Sequence, residues 1–265
     1  MTTVTGAGYS LDNAWEHARR RLELVERCYD PGTMRRLAGV GIEPGWRCLE
    51  VGAGAGSVTR WLCDAVGPAG RVCAVDIDTR FVDEIEADNL DVLPLDITTA
   101  GAGLALGFGS FDFIHTRALL MHLRQREEVL DLLVALLKPG GRLLLEEGDL
   151  FPVAGLAAGG YAEAWAGIEH AFGQAGVDCR WARRLPEHLV ARGIEQVRAD
   201  CDVPLVEGGT AEAELFVLTA TQIRDAVLAT GTTPDHLAVF ELELATPGRW
   251  LPAFALMTAS GRKPG

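Results

Sequence analysis

Leu49-Glu50-Val51-Gly52-Ala53-Gly54-Ala55-Gly56-Ser57, followed after a helix-like segment by Val72-Cys73-Ala74-Val75-Asp76, is the stretch on which the fold turns. An apolar run carries an acid, three glycines alternate, and a second apolar run ends in Asp76. A parallel sheet builds a nucleoside site in this way. Glycine permits a tight turn and lets a ligand approach the backbone without a Cβ in between, and a carboxylate closing the next strand can grip both hydroxyls of a ribose. The spacing narrows the nucleoside further. A dinucleotide fingerprint reads G-x-G-x-x-G, because its helix N-terminus must face a pyrophosphate. Here the glycines fall at 52, 54 and 56, Ser57 stands where that fingerprint wants its third glycine, and Glu50 precedes them all.

Working outward, strands and helices alternate. Residues 10–29 are expected to form an amphipathic helix capped by Ser10 or Asp12, with Leu11, Trp15, Leu22, Val25 and Cys28 on its buried side. Asp30-Pro31-Gly32-Thr33 is expected to break it and to start a second helix through Val40. Strands are then expected at 46–51, 71–75, 90–95, 111–115 and 142–147, with helices at 56–66, 79–87 and 117–137. The last helix stops at Lys138-Pro139-Gly140-Gly141. Such alternation argues for a parallel sheet covered on both faces. Past Gly148 the composition shifts to Gly, Ala and aromatics over residues 151–181, a segment too long for a plain connection. Helix 186–192, strand 195–203, helices across 211–229 and 234–240, and a closing strand 252–258 complete the reading.

The E-x-G-x-G-x-G arrangement from Glu50 to Gly56 resembles motif I of the class I S-adenosylmethionine-dependent methyltransferases, and Asp76 resembles their ribose-binding acid. The Lys-Pro-Gly-Gly turn before an apolar strand resembles the approach to that family's fifth strand, so the likeness extends over residues 46–147. It implies an α/β fold: a Rossmann-like, doubly wound, seven-stranded, mostly parallel sheet with a helical N-terminal segment and a helical lid insertion. The implied division is a helical cap at 1–40, a cofactor-binding core at 41–150, a lid at 151–185 and a C-terminal completion of the sheet at 186–265.

The resemblance also assigns roles. Gly52, Gly54 and Gly56 let the chain pass close to the methionine part of the cofactor, and Glu50 lies beneath the loop to bond it, or the ammonium through water. Asp76 takes the ribose hydroxyls. Ile77 packs on the adenine or is a plain core residue; Asp96 accepts a bond from the adenine amine or merely caps the following turn; Ile97 offers its backbone N–H to the ring. His115 lies where the family chain passes the sulfonium. Gly8-Tyr9-Ser10-Leu11-Asp12-Asn13-Ala14-Trp15 and Arg20-Arg21-Leu22 resemble a segment found ahead of the core in actinobacterial small-molecule methyltransferases, which implies Tyr9 and Arg21, or another arginine of the Arg19–Arg21 triplet, at the methionine carboxylate.

On the acceptor side, His122 follows the fourth strand, where ligands gather outside the carboxyl ends of a parallel sheet. With His115 seven residues earlier it would share a helical face if the helix starts early enough. His122 is therefore either an acid/base near the transferred methyl or a hydrogen-bonded helix residue. Glu146-Glu147-Gly148-Asp149 brings three carboxylates to the end of the fifth strand, and strand alternation lets at most one of Glu146 and Glu147 reach a substrate. His122, Glu147 and Asp149 are the catalytic candidates, with His170 on the presumed lid as a further one.

Composition excludes other classes. The chain has 265 residues, 48% hydrophobic, with 24 Lys+Arg against 37 Asp+Glu and a formal charge of −13. Nucleic-acid binding is not expected, since phosphate recognition needs a positive surface, and Arg19-Arg20-Arg21 reads as a solvated helix face. No apolar stretch approaches the roughly twenty residues of a membrane span, and the start lacks signal-peptide regions, so a cytoplasmic protein is expected. Six cysteines without a C-x-x-C pair indicate neither zinc nor a disulfide framework, and the histidine pair lacks a third metal ligand. The expected function is S-adenosylmethionine-dependent methyl transfer to a small molecule, plausible in specialised metabolism, by a monomer or homodimer. The alternatives are a cyclase or rearrangement enzyme that keeps the cofactor as a fixed charge, and a nicotinamide-dependent oxidoreductase, against which the glycine spacing and Glu50 count.

Overall fold

The computed structural model describes residues 11–265, so the expectation for Tyr9 lies outside the described residues. Along the chain run α1 (Ala18–Val40), β1 (Arg47–Val51), α2 (Ser57–Val66), β2 (Arg71–Asp76), β3 (Leu90–Pro94), α3 (Ala102–Leu106), β4 (Phe111–Arg117), α4 (Arg126–Leu136), β5 (Leu137–Asp149), α5 (Phe151–Leu156), α6 (Gly159–Ala175), α7 (Leu185–Ala191) and β6 (Glu195–Asp202). They are followed by β7 (Leu205–Glu207), α8 (Ala211–Gln222), α9 (Arg224–Ala229), α10 (Pro234–Ala245), β8 (Trp250–Pro252) and β9 (Ala255–Arg262).

Seven strands form one sheet in the order β3-β2-β1-β4-β5-β9-β6. The first five are parallel to one another, while β9 runs antiparallel to both β5 and β6. The connection reverses direction between β1 and β4, which opens a crevice at their carboxyl ends. Both faces are covered because side chains alternate along each strand. Leu49, Ile114 and Leu143 face Leu130 and Leu133 of α4 and Leu189 of α7, whereas Cys48, Phe113 and Leu144 face Leu37 of α1 and Leu62 of α2.

Four local expectations change. The helix expected to break at Asp30–Thr33 runs unbroken through Pro31 as α1. Proline removes one intrahelical bond, but the turn around it is held from outside: Asp30 accepts from Arg117 (2.8 Å) and Ser57 (3.0 Å), and Thr33 donates to Glu146 (2.6 Å). The helix expected at 79–87 contracts to a 3-10 turn at Val82–Glu84, because one turn already buries Phe81 and Val82 while Asp83, Glu84, Glu86 and Asp88 repel one another. The helix expected from Arg117 starts only at Arg126. The strand instead continues to Arg117, Ala118 turns the chain with a left-handed φ of 50°, and a 3-10 turn covers Leu120–His122. The closing strand begins at Ala255, not at Pro252, which belongs to the small β7–β8 pair.

The segment foreseen as a lid does not stand alone. In α6, Trp165 meets Phe216, Phe240 and Phe254 edge-on at 5.7, 5.4 and 5.3 Å, and Tyr161 stacks on Phe240 at 5.2 Å. Tyr161 also donates its hydroxyl to the Pro252 carbonyl at 2.8 Å. Its apolar stripe therefore shares one core with α8 and α10, which interrupt the last two sheet strands.

Candidate active site

The cleft lies at the carboxyl ends of β1, β2, β3 and β4, beneath α1. Its floor is the β1–α2 turn. Gly52, Gly54 and Gly56 have φ of 78°, 56° and 89°, a region L-residues rarely adopt. At Gly56 a Cβ would also meet Ile85 Cδ1 at 2.5 Å. Asp76, at the end of β2, ties the turn down: Oδ2 accepts from the Gly54 N–H and Oδ1 from the Asp78 N–H, each at 3.0 Å. Burial pushes the Asp76 carboxyl above its ordinary pKa, and the two amides oppose that shift.

Crossing from the β3 side to the β4 side, Asp96, Ile97, Asp76 and Ile77 give way to Glu50 and the glycine turn, then to Ala118, Leu119 and His122. Asp96 accepts from the backbone and hydroxyl of Thr98 at 2.9 and 2.6 Å, so it caps the following turn while one face borders the cleft.

The amino terminus of α2 is occupied from within the protein. Glu26 of α1 accepts from the Ser57 N–H at 2.9 Å, and Asp30 accepts from the Ser57 hydroxyl at 3.0 Å. Those carboxylates fill the place where a dinucleotide fold presents its helix to a pyrophosphate, so a second anion there would meet like charge.

Arg21 of α1 borders the cleft and is 4% exposed, and its Nε and Nη2 have no hydrogen-bond partner among the described residues. The Oδ1 of Asn13, also on the cleft wall, is equally unpaired. A buried guanidinium is costly unless paired, and the orphaned donors of Arg21 suit an anionic ligand group.

His115 does not border the cleft. It is fully buried one layer below, with Nδ1 2.8 Å from Glu50 Oε2 and Nε2 3.1 Å from Glu146 Oε2. Of its two neighbours, Glu50 reaches the cleft wall. Burial opposes charge on the imidazole, but the two carboxylates prevail and push its pKa up to about 9.

Glu147 and Asp149 are corrected as well. Glu147 turns away from the cleft and accepts the N–H groups of Leu119, Leu120 and Met121 at 3.3, 2.9 and 3.1 Å, capping the turn after β4. Burial pushes its pKa up to about 7 against those three bonds. Asp149 is buried and paired with Arg183 at 2.8 Å, and it also accepts the Phe151 N–H at 2.7 Å. Both are drawn off by local backbone donors and a single arginine, none of which strand alternation registers.

His122 is on the cleft wall, in the 3-10 turn that Glu147 caps. Because β4 runs on to Arg117, it does not share a helical face with His115. Burial, helped by Arg21 and Arg126, pushes its pKa down to about 4, so the imidazole is neutral at pH 7. His170 is exposed on α6, beside Gln174. Glu26, Asn13 and Arg117 on the cleft wall were given no individual role from the sequence. Arg117 had one signal, its place two residues beyond His115 in an apolar strand. Among the described residues no group of three or more His, Cys, Asp or Glu could hold a metal ion, and no helix is long and apolar enough to cross a membrane.

Comparison with known proteins meets this geometry at its centre. Residues 49–143 match the methyltransferase domain family. The chain is 27% identical over 229 residues to the lovastatin diketide synthase lovF of Aspergillus terreus, covering 78% of this chain and 9% of that protein. It is 31% identical over 115 residues to the ubiquinone/menaquinone biosynthesis C-methyltransferase UbiE of Ectopseudomonas mendocina, covering 40% of this chain and 43% of that one. The chain thus spans less than half the length of either relative. Among solved structures, phosphoethanolamine N-methyltransferase 2 of Haemonchus contortus, in complex with phosphomonomethylethanolamine and S-adenosylhomocysteine, superposes with a TM-score of 0.61. Identity there is 13%, over 98% of this chain and 61% of that one, a likeness of fold.

Proposed function

We propose, from the premise that residues 49–143 are a methyltransferase domain of the class I S-adenosylmethionine-dependent type, that the protein binds S-adenosylmethionine in the β1–β4 cleft and methylates a small organic acceptor. The observation that carries this reading is the glycine turn bonded to Asp76 while Glu26 and Asp30 close the α2 terminus against a phosphate. That combination favours a nucleoside without a pyrophosphate and disfavours a nicotinamide dinucleotide.

In this reading Asp76 holds the ribose hydroxyls, Ile77 and Ile97 flank the adenine, and Asp96 receives its amine. Glu50 and the orphaned Arg21 suit the ammonium and carboxylate of a zwitterionic amino-acid end. The cofactor supplies a methyl already activated on a sulfonium, which a nucleophile displaces in line. The remaining work falls to the protein: aligning the acceptor and excluding water. His122 faces the acceptor as a neutral imidazole able to accept its proton. The likeness to lovF supports an acceptor from specialised metabolism.

The test is calorimetric titration with S-adenosylhomocysteine and, separately, with reduced nicotinamide dinucleotide, followed by transfer of labelled methyl to candidate acceptors. Binding of the first alone is expected. Failure of the protein to bind S-adenosylhomocysteine would sink the proposal.

A further inference from the structure

His115 sits in a buried network that cofactor binding alone does not require. Both of its ring nitrogens meet carboxylate oxygens, Glu50 at 2.8 Å and Glu146 at 3.1 Å. An ionised carboxylate only accepts, so with both partners ionised each ring nitrogen must donate and the ring is an imidazolium. Its surroundings agree. From α1, Thr33 donates to Glu146 Oε2 at 2.6 Å and Arg36 to Glu146 Oε1 at 3.2 Å. Arg36 continues to Asp202 of β6 at 2.7 Å. Arg117, two residues on in the same strand, donates to Asp30 at 2.8 Å and to Thr33 at 3.0 Å. Glu147, the neighbour of Glu146 on β5, also feels the His115 charge. Around His115 the acids Glu50, Glu146 and Asp30, with Asp200 and Asp202 sharing Arg36, outnumber Arg36 and Arg117, so a positive charge on His115 offsets part of an acidic excess.

We propose that His115 is a positioning residue: held as an imidazolium between Glu50 and Glu146, it keeps Glu50 ionised and aimed at the amino-acid end of the cofactor, and through Glu146 it fastens α1 over the cleft. This rests on the cofactor reading above. The division of labour is physical. Glu50 is 2% exposed, and burial pushes its carboxyl above the ordinary pKa while the charge and hydrogen bond of His115 are the largest influences opposing that shift. A protonated Glu50 attracts an ammonium far less strongly than a carboxylate does.

Two measurements decide the matter. Nitrogen-15 spectra of the wild-type histidine side chains are expected to show His115 doubly protonated at pH 7 and titrating near pH 9; a neutral ring at pH 7 overturns the proposal. The second compares two ligands on His115→Gln, namely S-adenosylhomocysteine and methylthioadenosine, which keeps adenine and ribose but lacks the amino-acid end. The dissociation constant of the first is expected to rise about tenfold or more, the size of a charge-assisted bond, and that of the second less than about twofold. Equal losses for both ligands would mean a merely structural histidine and refute the assignment. If His115→Gln does not fold, Glu146→Gln removes the other carboxylate and should lower the His115 pKa in the same spectra; an unchanged titration refutes the bridge. Wild-type protein that binds neither ligand defeats the cofactor reading instead, and the spectra still report the charge of His115.

Discussion

Replacing Asp76 with asparagine separates what this carboxylate does for a ligand from what it does for the fold. In the free protein its two oxygens each accept a backbone N–H at 3.0 Å, yet burial still raises its pKa. A raised carboxyl pKa means that the folded state holds the proton more tightly than the unfolded one. The contribution to stability is then present below the ordinary carboxylate range and lost as pH rises through the folded-state value. At neutral pH the ionised Asp76 is thus a cost to the unliganded fold; asparagine removes that cost, but its Nδ2 cannot accept the second of the two N–H groups, so Asp76→Asn should melt close to wild type. Binding should move the other way. Charge-assisted bonds to ribose hydroxyls are worth about 1.5–3 kcal/mol, so S-adenosylhomocysteine affinity should fall roughly 10- to 150-fold. Thermal melts without ligand and calorimetry with it, both at pH 7, read the two arms. Unchanged affinity in the variant, or a marked drop in the unliganded melting temperature, would refute the reasoning.

Other outcomes follow from the same geometry. His122→Ala should lower turnover about 10²-fold with cofactor affinity nearly intact, the size expected when a general base is lost; with the imidazole pKa near 4, the wild-type rate should show no histidine step around pH 6.5. Glu147, raised to about 7 from 4.5, contributes stability that is full below pH 4.5 and lost as pH rises through 7. Melting temperatures of wild type should therefore fall across that window relative to Glu147→Gln, and parallel curves would contradict the assignment. Trp165→Ala should cost about 3–5 kcal/mol in denaturant unfolding, because the cavity would open among Phe216, Phe240 and Phe254; a loss under about 1 kcal/mol would show that α6 is a loosely docked lid after all.

What the sequence determined on its own was the part of the protein that short-range geometry dictates. The Glu50–Gly56 turn and Asp76 belong to a single βαβ unit, and the bond from Gly54 to Asp76 spans only 22 residues. Within such a unit, strand alternation and glycine spacing leave little freedom, so the parallel sheet and the glycine turn with Asp76 beside it at the cleft could be read directly. The tertiary structure decided everything carried by pairs far apart in the chain. His115 was read as a cleft residue because its strand position is right, but Glu50 lies 65 residues before it and claims it from a neighbouring strand. Pro31 was read as a helix break because proline removes a local bond, yet Thr33 two residues on is anchored to Glu146 across 113 residues. Glu147 and Asp149 carry the right charge at the right strand end, and only packing shows that three backbone amides and Arg183 take them out of the cleft. A buried charge goes where its partner is, and a one-dimensional pattern records which charges exist but not which of them meet.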